Sequence, residues 1–142
     1  MLDDMPQVNL VAMVGAGGSI GPSGGLPCPL RREEAETFQQ WFLDLTRHGI
    51  IVIGYRTLQI MRETGFVSMG SDYLLVCWNR DGLYDPDQFL EELKRAGKPI
   101  FICGGRKTYE TFMPHVQQFF IRRVALSAPH DHFMPALFGR MQ

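Results

Sequence analysis

The chain lacks any apolar run approaching the ~20 residues that a membrane-spanning helix requires, so no membrane partner is expected. Charge of one sign is missing too: 14 basic residues stand against 15 acidic ones, a formal net charge of −1. Nothing electrostatic therefore points to nucleic acid. Cysteine is scarce. Cys28, Cys77 and Cys103 are odd in number and share no CxxC spacing, which argues against disulfides or zinc and for reduced thiols. The histidines form no HExxH or HxxxH pattern; only His130 and His132 come close, in a proline-flanked stretch that reads as surface, and no metal is expected. The opening MLDDMPQ has neither the basic nor the apolar region of a signal peptide, which leaves the cytoplasm as the expected location.

What is present is an ordinary globular composition, 45% hydrophobic and 20% charged, over 142 residues. That length reads as a single domain, residues 1–142, with no repeat or linker. Val8 to Val14 reads as a strand, followed by a glycine-rich loop through Pro29. Arg31 to Arg47 has helical spacing through Phe38, Trp41, Phe42 and Leu45, with Gly49 as its stop. Further strands are expected at Ile50 to Ile53, Tyr73 to Trp78, Pro99 to Cys103 and Phe119 to Ser127. Helices are expected at Thr57 to Glu63, Pro86 to Ala96 and Lys107 to Met113. Uniformly apolar strands alternating with helices imply an α/β fold with parallel pairing and both sheet faces covered.

Two glycine clusters compete for the role of ligand clamp. The first, Gly15 to Gly25, departs from the dinucleotide spacing, and Pro22, Pro27 and Pro29 delay any helix to about Arg31. It reads as a permissive loop of the lid type. The second is better placed: in "PIFICGGRKTYETF" a buried strand meets Gly104-Gly105 and then a helix, with Arg106 and Lys107 adding positive charge. The N–H groups at Arg106 to Thr108 would face an anion there, although a plain tight turn explains the spacing equally well. "IVIGYRT" repeats the arrangement with Gly54, Arg56 and Thr57. Two such junctions suggest two anionic groups of one extended ligand.

In order, "LVAMV", "IG", "GGLP", "PLRREEAETFQ", "IVIGYRT", "FICGGRKTYETFMP" and "DHFMP" resemble the dihydrofolate reductase family over roughly Val8 to Pro135. The resemblance implies a central, mostly parallel mixed sheet flanked by helices, truncated at the C-terminus. It also implies NADPH and a pterin bound side by side, with hydride passing to C6 of dihydrofolate while N5 is protonated. Glu34 matches the family's acid, one helical turn before Phe38, although a solvated acidic face would explain "RREEAE" by itself. By the same resemblance Val11, Ala12, Met13, Leu26, Phe38, Met61 and Cys103 would line the substrate site, with Ala12 reaching the cofactor as well. Ile20, Gly54, Arg56, Thr57, Gly104, Gly105, Arg106, Lys107, Thr108 and Tyr109 would bind the cofactor, Tyr109 having a core aromatic as its competing reading.

The sequence also departs from the family pattern. Cys28 stands where a tryptophan is usual, and the arginine that holds the folate tail falls on Ser71, with Arg62 as a substitute. Tyr55 replaces a basic residue, which leaves Arg56 or Arg80 to choose NADP over NAD. Arg122 takes the place of a threonine beside the acid. It either faces Glu34 or points outward as an edge guard, and the cost of burying a guanidinium favours the outward reading. These changes imply weak inhibition by antifolates. The strand holding Arg122 would be left as an edge, which a homodimer would cover. Reduction of another pterin or of a riboflavin-precursor pyrimidine, or nucleotide binding with little turnover, stand as the alternative functions.

Overall fold

The computed structural model describes residues 7–14, 19–21, 32–63, 74–78, 85–123 and 132–133. Strand β1 (Val8–Val14) is buried along its whole length, as an uninterrupted apolar run requires when both sheet faces are covered. A short β2 (Ser19–Gly21) follows, then α1 (Arg32–Thr46), β3 (Ile50–Gly54), α2 (Tyr55–Glu63) and β4 (Leu74–Trp78). The chain continues through α3 (Pro86–Lys94), β5 (Ile100–Ile102), α4 (Arg106–Phe112), a 3-10 turn at Met113–His115, β6 (Gln118–Arg123) and β7 (His132–Phe133).

Five strands form one sheet in the order β4-β3-β5-β1-β6, every neighbouring pair parallel. The expected α/β architecture is borne out, and antiparallel pairing among the described residues is confined to the separate β2–β7 ribbon. Alternation along the strands sorts the core into two layers. Val8, Leu10, Ala12 and Val14 of β1 pack with Leu90, Tyr109 and Phe112 from α3 and α4. Val11 and Met13 point the other way, to Phe42 of α1 and Leu58 of α2.

Local differences from the sequence reading have physical causes. Helix α2 begins at Tyr55, two residues before the expected Thr57, because no loop separates it from β3. Asp85 caps α3 by accepting from the Gln88 N–H at 2.8 Å, with Pro86 in the first turn. Gly49 does not supply the left-handed residue after α1; His48 does, at φ 64°. Gly49 is needed for closeness instead, since a Cβ there would stand 2.5 Å from the Phe101 ring.

Candidate active site

Ligand crevices in open parallel sheets form beyond the carboxyl ends of the strands, where successive connections leave in opposite directions. Here β3 continues through α2 to β4 on one side, whereas β5 continues through α4 to β6 on the other. The strand order therefore opens a crevice above β3 and β5, the two strands that carry the glycine junctions.

The junctions touch. The Gly54 N–H donates to the Gly104 carbonyl at 2.7 Å, and the Cys103 N–H donates to the Val52 carbonyl at 2.8 Å. A Cβ on Gly54 would stand 2.7 Å from Thr108 Oγ1, so only glycine fits between the strand and the start of α4. Gly104 has φ 123°, a conformation glycine adopts without a steric penalty, and the Gly104–Gly105 peptide is cis. No side chain caps α4 at Gly105, and the first helical bond runs from the Tyr109 N–H to the Gly105 carbonyl. The N–H groups of Arg106, Lys107 and Thr108 precede that bond and project from the helix start. Neither α2 nor α4 carries an acidic residue in its first turn. Arg56, Arg106 and Lys107 are exposed, while Thr57 and Thr108 are buried. Arg106 also pairs with Glu110 at 3.1 Å, an exposed contact of small energetic value. The donor set suits a polyanion: backbone N–H groups, hydroxyls and cations stand at the starts of α2 and α4, with no carboxylate in the opening turns.

Beside this cradle, Val11, Met13 and Cys103 lie on the α1 side of the sheet, in the layer shared with Phe42 and Leu58. Ala12 faces the opposite layer, so it can offer only backbone to a ligand on the α1 side. The Cys103 thiol donates to the Phe101 carbonyl at 3.4 Å, and burial pushes its pKa far above the ordinary range. The Tyr109 hydroxyl is buried and donates to the Val11 carbonyl at 2.8 Å. Burial, with Cys103 as a second cause, holds it protonated well above the usual phenol range. Tyr109 is thus buried with its polar tip satisfied inside the protein. Cys77 and Cys103 are both free thiols.

Arg122 corrects the outward reading. It is half-buried, opposite Met13 in the β1–β6 register, with its guanidinium carbon 6.0 Å from the centre of the Trp41 ring on α1. Stacking on the indole offsets part of the desolvation cost that favoured solvent. Trp41 reads as one more apolar position in the helix pattern, and no sequence signal connects it with Arg122. The β2–β7 ribbon was equally unsignalled: it joins the first glycine loop to the "DHFMP" stretch through very short strands. Leu26, Cys28, Ser71 and Arg80 lie outside the described residues. So do the side chains of Ile20, Glu34, Phe38 and Met61, whose backbones belong to β2, α1 and α2.

A family model for dihydrofolate reductase matches residues 7–140. The chain belongs to the dihydrofolate reductase family. As a member it is an NADPH-dependent oxidoreductase. Among 153 matching solved chains is a dihydrofolate reductase from Enterococcus faecalis, complexed with NADP(H) and RAB-propyl. It is similar in fold, with a TM-score of 0.71 at 17% identity, covering 91% of this chain and 77% of that one. No curated protein matches the chain.

Proposed function

We propose that this reductase converts 7,8-dihydrofolate to tetrahydrofolate, with Glu34 as the acid-side residue and the Gly54–Gly104 crevice as the cofactor cradle. The observation that carries the reading is the contact between the two strand–glycine–helix junctions at 2.7 Å, which makes one polyanion cradle from two separate motifs. NADPH supplies the hydride when bound. Gly104, Gly105 and the N–H groups of Arg106 to Thr108 hold its pyrophosphate, and Arg56 and Thr57 hold the phosphates on the adenosine side.

The family match and the apolar floor of Val11, Met13 and Cys103 support a place for the substrate on the α1 side. That floor carries no charge at neutral pH, because burial keeps the Cys103 thiol protonated. Glu34 and Phe38 stand four residues apart on α1, a spacing of one helical turn. Glu34 accepts from the N3 and 2-amino hydrogens of the pterin, which orients the ring and favours the form protonated at N5. Phe38 packs on the ring.

A spectrophotometric assay with NADPH and dihydrofolate tests the reading. Glu34→Gln should lower the hydride-transfer rate at neutral pH by at least about 100-fold, the usual worth of a general acid. NADPH affinity should stay unchanged, because the substitution leaves the cradle intact. An unaltered rate in the variant excludes Glu34 from the role.

A further inference from the structure

The order of the strands fixes the order of the parts of an extended ligand. This inference rests on the cofactor reading above, in which the β5–α4 junction would hold the pyrophosphate and Arg56 and Thr57, at the start of α2, the phosphates on the adenosine side. The adenosine end would then lie over β3 and β4, because α2 starts directly from β3, which stands between β5 and β4 in the sheet. Strand spacing of about 4.8 Å puts that end one to two strands from the pyrophosphate.

Among the described residues, the aromatics Trp78 and Tyr55 stand at this end of the sheet. Trp78 is the register partner of Gly54, but its indole is turned into the core, 4.8 Å from the Phe89 ring and 5.0 Å from the Phe112 ring. Tyr55, the first residue of α2, is 61% exposed, and no other large aromatic among the described residues is exposed. Its hydroxyl accepts from Gln59 Nε2 at 3.0 Å, one helical turn away. That brace orients the ring in advance of any ligand and lowers the entropy cost of stacking on it. Arg56 follows directly in sequence, and adjacent helical residues project in different directions. Ring and guanidinium are therefore separate devices at the same helix start.

We propose that Tyr55 is a specificity-determining residue: a braced, uncharged platform on which the adenine of the dinucleotide stacks, leaving Arg56 to recognise the 2′-phosphate. Base stacking on an aromatic ring is indifferent to the phosphate, so Tyr55 supports NADPH and NADH alike. Discrimination between them then rests on one arginine.

Calorimetric titration of the full chain with NADPH and with NADH tests this. Tyr55→Ala should weaken both by roughly tenfold, the usual scale for losing one stacked base. Tyr55→Phe should hold both near the parent affinities, because the ring is kept. Arg56→Ala should weaken NADPH by about tenfold or more and leave NADH unchanged, since only the charge-assisted contact to phosphate is lost. Unchanged affinities in Tyr55→Ala overturn the proposal. Loss confined to NADPH in both Tyr55 variants overturns it as well, because the hydroxyl would then be reading phosphate. If the parent protein binds neither nucleotide, the cofactor reading itself falls and the platform with it, an outcome distinct from the other two.

Discussion

Gly54 carries the most demanding constraint in the site. Its N–H is bonded to Gly104, and its α-carbon leaves no room for a methyl group beside Thr108 Oγ1. Gly54→Ala should therefore destabilise the protein by about 1–3 kcal/mol, the range for forcing a methyl into a filled space. Adding Thr108→Ala removes the clashing hydroxyl, so the double variant should unfold at higher urea concentration than Gly54→Ala alone. A double variant no more stable than the single would show that the strain lies elsewhere. From the sequence, Gly54 was legible as a junction glycine. Its partner was not, because Gly54 and Thr108 are far apart in the chain and meet only when β3 and β5 pair.

Among the elements, the helices were legible where the chain encodes their starts. Pro86 stands at the expected start of α3, and the structure adds the Asp85 carboxylate as its cap. Asp85→Ala should cost about 1 kcal/mol of stability, measured by urea unfolding, while NADPH affinity stays the same because α3 takes no part in the cradle. A changed nucleotide affinity would mean that α3 couples to the crevice. Helix α1 shows the opposite case. Its periodic positions predict a buried stripe, and Phe42 obeys. Trp41 instead remains partly exposed and receives the guanidinium of Arg122. The desolvation argument that pointed Arg122 outward counted the loss of water and could not count an aromatic partner contributed by another element.

Two protonated groups among the described residues, Cys103 and Tyr109, lie in the interior of the molecule. Burial raises the Cys103 thiol from its ordinary 9.0 and the Tyr109 hydroxyl from its ordinary 10.0. The folded state therefore keeps protons that the unfolded chain releases at lower pH, and stability must fall as pH rises. The loss begins near pH 9 with the thiol and steepens near pH 10 with the phenol, at about 1.4 kcal/mol per pH unit for each group. Urea midpoints collected between pH 8 and pH 11 should show this decline. Cys103→Ala should remove the decline between pH 9 and pH 10 and roughly halve the slope above it, leaving the contribution of the phenol alone. A decline with the same slope in both proteins would place the responsible group elsewhere.

The sequence by itself determined what is local. Apolar runs made the buried strands, glycines ended them, helices followed, and the ordered set of motifs carried the family resemblance. Neighbours along a chain share backbone geometry, so these features need no distant partner. Tertiary structure decided which separated pieces meet: Gly54 with Gly104 and Thr108, Tyr109 with the Val11 carbonyl, Arg122 with Trp41, and Tyr55 left exposed beside the crevice. The reason is the order β4-β3-β5-β1-β6, in which only β3 and β4 are neighbours both along the chain and in the sheet, so most of these contacts depend on where a crossover deposits its next strand.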